Sequence, residues 1–188
     1  MASPSVVLQA TVLISGGIDS LACIHLLRNQ RFQIRGLFVD YGQAARAAER
    51  AAVRRLSRKL SFPVVFQNQR VGREFSPGEI AGRNAFLAFS ALVSGVASKG
   101  VLAMGLHSGT PYYDCSPLFV ARLSTLLAEY TDGRVQFVAP FIEWTKEDIV
   151  GYARAKRLPI GSTYSCEKGT KKPCGACRSC LDRKRCEC

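Results

Sequence analysis

An α/β fold, with a mostly parallel sheet covered by helices on both faces, is predicted by three features of this 188-residue sequence. Short apolar runs alternate with longer helical ones, a glycine-rich turn follows the first apolar run, and the alternation stops in a cysteine-rich tail. Apolar runs of this length suit strands buried on both faces, and parallel strands joined by helices need both faces covered. The first unit is a strand over 6–14, a helix over Ile18–Asn29 and a strand over 34–39. A basic helix over 44–60, a strand at 63–66, a helix at 84–98 and a strand at 101–105 continue the pattern. A helix over Pro117–Tyr130, a strand at 136–139 and a helix at 146–157 complete it, with right-handed crossovers expected throughout. Ligands of such sheets collect at the carboxyl ends of the strands, so the loops after Ile14, Val39 and Gly105 should share one cleft. Residues 1–158 are read as the α/β domain and 159–188, rich in Gly, Lys, Pro and Cys, as a small appended knuckle.

A chain of this size can bury roughly 70% of its unfolded surface in one core. Its 47% hydrophobic and 21% charged residues exclude a wholly disordered or fibrous chain. No apolar stretch reaches the roughly 20 residues that span a bilayer, and Met1 to Ser5 lacks a basic segment leading into an apolar one. The expectation is a cytoplasmic protein with no membrane partner. A net charge of +12 favours polyanions such as ATP, RNA or an acidic protein surface. Arg46, Arg50, Arg54 and Arg58 recur every four residues, either as a solvated helix face or as a contact for nucleic acid.

At the first strand-to-helix junction stands Ser15-Gly16-Gly17-Ile18-Asp19-Ser20. Two glycines let the backbone approach an anion, free N–H groups at a helix start favour negative charge, and Ser15 and Ser20 add hydroxyl donors. The segment fits neither G-x-x-x-x-G-K-[ST] nor G-x-G-x-x-G.

Four of the eight cysteines form C-x7-C-x2-C-x2-C: Cys166, Cys174, Cys177 and Cys180. Four thiolates at this spacing suit tetrahedral Zn²⁺, with an iron–sulfur cluster as the rival. Four protein ligands leave no open coordination position, so the metal is expected to be structural. Cys186 and Cys188 fall outside the pattern and are expected as free thiols at a mobile end, while Cys23 reads as core packing. His107 follows the strand ending at Gly105 and faces either the cleft or solvent, and His25 reads as an ordinary helix residue.

Ser15 to Ser20 matches the SGGxDS signature of the PP-loop ATP pyrophosphatases. Together with Asp40-Tyr41-Gly42-Gln43, Gly82-Arg83-Asn84, Asp114-Cys115, Pro140, residues 146–149 and 165–180, nearly the whole chain resembles the QueC family of 7-cyano-7-deazaguanine synthases. The resemblance implies a PP-loop ATPase fold of the adenine nucleotide α-hydrolase type. It also implies conversion of 7-carboxy-7-deazaguanine to a nitrile with ammonia, through successive adenylations. By the same resemblance Ser15, Gly16, Gly17, Asp19 and Ser20 hold the phosphates of ATP with Mg²⁺, and Asp40, Tyr41, Gly42, Gln43 and Asn84 join that site. Asp19, Arg83 and Lys146 are the implied catalytic residues. Tyr113, or its neighbour Tyr112, and Asp114 are read as substrate contacts, by stacking and by accepting hydrogen bonds from the guanine-like edge. The alternatives are a surface helix-start residue for Arg83, a surface first-turn residue for Lys146, a cap for Asn84 and a cap of the following helix for Asp114. Family membership also implies a homodimer. Two departures stand out: Ala81 replaces a usual proline, and Ser116 replaces a usual arginine that would contact substrate or adenylate. The stretch from Gln43 to Gly82 is short for the family. Two other readings remain within the PP-loop enzymes: joining of the deazaguanine acid to a protein amine in antiviral defence, and tRNA modification.

Overall fold

A computed structural model of the chain describes residues 8–69, 72, 75–76 and 78–188. These residues form β1 (Gln9–Leu13), α1 (Ile18–Asn29), β2 (Gln33–Asp40), α2 (Arg46–Leu60), β3 (Val64–Asn68), α3 (Arg83–Val93) and β4 (Gly100–Met104). After a short 3₁₀ turn at Tyr113–Cys115 follow α4 (Pro117–Tyr130), β5 (Val135–Val138), α5 (Lys146–Ala155) and α6 (Arg178–Arg185). All strand pairings are parallel, in the order β3-β2-β1-β4-β5.

The order reverses beside β1: the chain steps from β1 to β2 and β3, then returns to lay β4 on the other side of β1. Such a reversal leaves a crevice at the carboxyl ends of the two strands that flank it. Leu13 pairs with Leu37 on one side and Met104 on the other, so the loops after β1 and β4 open at one level, with β2 running on to Asp40.

Alternation along the strands divides the core into two layers. Val12, Ile14 and Phe38 pack with Leu21 and Ile24 of α1, Val53 and Leu56 of α2, and Ile149 of α5. Leu13, Leu37 and Met104 face the other way, onto Ala88 and Ala91 of α3 and Leu123 and Leu127 of α4. Burying one such Leu or Ile fully contributes about 1.5–3 kcal/mol. Ser116 caps α4 by accepting the Phe119 N–H at 3.1 Å, with Pro117 in the first helical position. Thr145 and Asp148 form a reciprocal capping box that opens α5.

The expected alternation is present, with differences at the ends. Of the strand expected over 6–14, residues 6 and 7 lie outside the described residues, and the strand is Gln9–Leu13. The helix expected to reach 98 stops at Val93, where Gly95 adopts φ +70° just past the cap. The tail is more regular than its composition suggests, since α6 lies within it. The expectation of a mobile end at Cys186 and Cys188 is corrected. Cys186 is buried in the α1–α5 layer with Cys188 packed beside it, and Arg154 donates to the carbonyls of Cys186 and Glu187 at 2.7 and 2.9 Å. Of the basic stripe, Arg50 and Arg54 lie over the ring of Phe66, at 5.2 and 5.4 Å from its centre. Among the described residues no helix is long and apolar enough to cross a membrane.

Candidate active site

A cleft of about 300 Å³ opens at the carboxyl ends of β1, β2 and β4. Its floor is Leu13, Leu37 and Met104, and its walls come from the loop after β1, the loop after β2, the start of α3, the start of α5 and the cysteine-rich tail.

Ser15, Gly17, Asp19 and Ser20 line it from the first loop. Gly16 sits at φ +80°, and a Cβ there would meet the Ala52 Cβ at 2.8 Å, so only glycine lets the loop turn this close to α2. Gly17 occupies the N-cap position of α1 and offers no capping side chain, which leaves first-turn N–H groups for an anion. The Ser20 hydroxyl donates to the Gly17 carbonyl at 3.0 Å. Asp19 lies in the first turn, and Lys146 Nζ donates to both its carboxylate oxygens, at 2.6 and 2.7 Å. The end of β4 comes close enough to Asp19 that a Cβ on Gly105 would lie 2.8 Å from its backbone.

The Asp40–Gln43 segment is a loop bonded to itself. Asp40 Oδ1 accepts the Gly42 N–H at 3.1 Å, and Gln43 Oε1 accepts the Tyr41 N–H at 3.0 Å. Gln43 Nε2 donates to the Val39 carbonyl at 3.1 Å and to Glu49 Oε2 at 3.0 Å. Tyr41, Gln43 and Glu49 line the cleft, while Asp40 is buried behind them. Burial raises the Tyr41 hydroxyl pKa, offset in part by Arg83, and pushes the Glu49 carboxyl up to about 7.

Arg83 begins α3 and, with Asn84, reaches the cleft. Asn84 and Asp114 hold one another: Asp114 Oδ2 accepts the Asn84 backbone N–H at 3.2 Å, and the Asn84 amide donates to the Asp114 carbonyl at 2.9 Å. Asp114 thus caps α3 across the site, while Ser116 caps the helix that follows Asp114. Tyr113 is exposed, accepts from Arg122 at 3.0 Å and packs edge-on against Phe119. Tyr112, not Tyr113, stands in the cleft wall. His107 also lines the cleft; burial lowers its pKa, and its Nδ1 accepts the Gly109 N–H at 3.2 Å. A ring neutral with Nδ1 as acceptor carries its proton on Nε2. The Cys115 thiol is pushed up to about 11 by burial and then by Asp114, which makes it an inert cleft residue.

The cysteine-rich tail closes the remaining side. The Sγ atoms of Cys166, Cys174, Cys177 and Cys180 all lie within 4.8 Å of one another, with Cys174 and Cys180 at 3.9 Å. Tetrahedral thiolates at Zn–S of about 2.3 Å stand about 3.8 Å apart, so the donor set fits a metal of that kind. Backbone N–H groups of Cys174 and Cys177 donate to the sulfurs of Cys166 and Cys174 at 3.4 and 3.3 Å, as thiolate acceptors require. The tail is tied to the phosphate-type loop by the Tyr164 N–H, which donates to the Gly16 carbonyl at 2.9 Å. From it Glu167, Arg178, Ser179, Asp182 and Arg183 reach the cleft. Arg178 donates to the Gly109 carbonyl at 2.5 Å, and Arg183 to Ser165 Oγ at 3.2 Å and to the Thr163 hydroxyl. Arg185 pairs with Glu147 of α5 at 2.8 Å.

Sequence reasoning missed Glu49, which sits inside a basic helix with no motif of its own.

The sequence model of the family described as Queuosine biosynthesis protein QueC matches residues 9–77 and 65–186, two ranges that overlap between Gln43 and Gly82. The 7-cyano-7-deazaguanine synthase 1 of Mesorhizobium japonicum is 30% identical over 94% of this chain and 88% of its own length. The 7-cyano-7-deazaguanine synthase of Aquifex aeolicus is 28% identical, covering 92% of this chain and 93% of its own. Among solved structures, NMN synthetase from Francisella tularensis aligns with a TM-score of 0.55 at 11% identity, over 86% of this chain and 68% of that one. The NH3-dependent NAD synthetase from Campylobacter jejuni aligns at 0.51 and 16%, over 85% and 68%. Likeness at these identities speaks for a shared fold.

Proposed function

We propose that this chain, which belongs to the QueC family, converts 7-carboxy-7-deazaguanine to 7-cyano-7-deazaguanine at the expense of ATP. The observation that carries this reading is the convergence of the Ser15–Ser20 loop, the Asp19–Lys146 pair and Arg83 on one cleft, in a chain similar along its length to synthases of that name.

A carboxylate is a poor electrophile because oxide leaves badly, whereas AMP leaves readily. Attack of the carboxylate on the α-phosphorus expels pyrophosphate and gives an acyl adenylate. Ammonia then adds to the acyl carbon, and the C–O bond breaks with its electron pair going to AMP, which leaves an amide. A second ATP adenylates the amide oxygen, and departure of AMP with loss of the nitrogen's protons leaves the nitrile. Little covalent chemistry falls to the protein, so positioning and charge stabilisation carry the catalysis.

Ser15, Gly17, Ser20 and the α1 N-terminus are suited to grip the phosphates. Lys146 and Arg83 supply the positive charge that developing negative charge on phosphorus needs, and Gly16 and the Asp40–Gln43 loop give the pocket its shape. Mg²⁺ carried by ATP would supply further positive charge to the phosphates, and Asp19 is the carboxylate that would hold it. Asn84 and Asp114 fix the segment that presents Tyr112, which takes over the stacking role expected of Tyr113. Zn²⁺ is the ion we assign to the four cysteines, where it would fold residues 159–188 onto the α/β domain of residues 1–158.

The test is mass spectrometry of protein with Mg-ATP and 7-carboxy-7-deazaguanine, with and without ammonium. Nitrile, AMP and pyrophosphate are expected with ammonium. An amide as final product would overturn nitrile synthesis, and no acid-dependent AMP would overturn the substrate.

A further inference from the structure

Glu49 is a carboxyl in the cleft wall that binding and activation of the acid leave without a task. It lies in the first turn of α2, and its backbone carbonyl stands 3.2 Å from where a Cβ of Gly16 would be, directly behind the phosphate-type loop. Its carboxylate accepts from Gln43 Nε2 at 3.0 Å and opens on the cleft beside Tyr41 and Arg83.

We propose that Glu49 takes the proton from the nitrogen nucleophile as it attacks the acyl adenylate. The inference rests on the function proposed above. As the N–C bond forms, the nitrogen becomes cationic and one N–H pair must stay behind. The proton passes to a Glu49 oxygen, the C–O bond to AMP breaks with its electrons leaving on phosphate oxygen, and the products are neutral amide, AMP and protonated Glu49, which returns its proton to solvent.

The other cleft groups are unsuited. Asp19 has both oxygens engaged by Lys146, and His107 has its lone pair occupied by the Gly109 N–H. Asp182 pairs with Arg185 at 3.2 Å, and Glu167 Oε1 accepts both the N–H and the hydroxyl of Ser179, at 3.1 and 2.9 Å. Asp114 is committed to the start of α3. A base works best when its pKa lies near the operating pH. Burial is what raises Glu49, with Asp40 of β2 adding to it and the Gln43 amide and Arg83 of α3 opposing, while Tyr41 also faces it. The resulting value of about 7 gives a group that is both ionised enough to accept a proton and basic enough to hold one.

Glu49→Gln keeps an acceptor for Gln43 and removes the base. In E49Q, exchange of labelled pyrophosphate into ATP that depends on 7-carboxy-7-deazaguanine should persist, while amide formation from ammonium falls about 100-fold or more. Hydroxylamine, uncharged at neutral pH and strongly nucleophilic, should still trap the adenylate as hydroxamate in E49Q. In the wild type, kcat/KM per free ammonia should rise with pH through an inflection near 7 that the exchange reaction lacks; this profile decides the matter even if E49Q does not fold. Unchanged amide formation, equal loss of amide and hydroxamate, or loss of exchange would each overturn the assignment, as would a flat wild-type profile. A wild type without acid-dependent exchange would remove the substrate reading and this inference with it.

Discussion

The two halves of the cleft are made rigid in different ways. The half built on β1, β2 and β4 rests on the core: Val12, Leu21 and Leu37 beneath the Ser15–Ser20 loop have no exposed surface. The other half, from Tyr164 to Arg185, has an exposed surface around four sulfurs and is anchored through backbone and polar contacts to Gly16, Gly109 and α5. Burial of apolar surface shapes the first half without any ligand. A metal ion bound by the four sulfurs as thiolates would shape the second. One cleft would then depend on two separate sources of free energy, and substitutions can separate them.

The largest effect is expected in the first half. Asp19→Ala leaves Ile18, Leu21 and Ile24 buried, so the fold should stand, but it removes the carboxylate that holds Lys146 and faces the cleft. Acid-dependent AMP formation should fall about 10³-fold, read by chromatography of nucleotides, with circular dichroism unchanged. Near-normal AMP formation would show that Lys146 is placed well enough without its partner.

In the second half, Cys177→Ser removes a sulfur at the N-cap position of α6. Bound metal should be lost, and Tm should drop by roughly 5–10 °C. Hydrogen exchange should rise across residues 160–188 while β1 and β4 stay protected. Full zinc content with normal melting would refute a structural metal, and uniform deprotection of the sheet would show that the halves do not behave separately.

A smaller difference separates two adjacent tyrosines. Tyr112→Ala should raise KM for the deazaguanine acid roughly tenfold, since aromatic stacking on a base contributes about 1–3 kcal/mol. Tyr113→Ala, whose partners are Arg122 and Phe119 on the surface, should leave KM where it was. The reverse order would restore Tyr113 as the substrate contact.

The same contrast explains what the sequence disclosed. Helix α4 was legible to the residue because Ser116 and Pro117 mark its start and an apolar stripe fills its body. The Ser15–Ser20 loop and the four cysteines were legible because each chemistry constrains consecutive residues. Helix α6 was not, since Arg178 to Arg185 holds just two apolar residues, Cys180 and Leu181, among charged ones, and its start follows from the sulfurs. The engagement of Asp19 by Lys146, 127 positions away, and the capping of α3 by Asp114 are products of tertiary packing that no local spacing encodes. Cys186 looked like a terminal residue because nothing in Arg185 to Cys188 shows that it docks under α5.

The smallest effect concerns Ser116, where the family usually has arginine. Its hydroxyl accepts the Phe119 N–H and opens α4, so its first task is structural. Ser116→Ala should cost about 1 kcal/mol of stability, or roughly 2–4 °C in Tm for a chain of this size, with kcat/KM for the acid unchanged. Arg178, held at the Gly109 carbonyl from the opposite half, brings a positive charge to the cleft wall. A fall in kcat/KM beyond the stability loss would mean that the Ser116 hydroxyl touches substrate or adenylate itself, and that the arginine was replaced by a polar contact rather than by a cap.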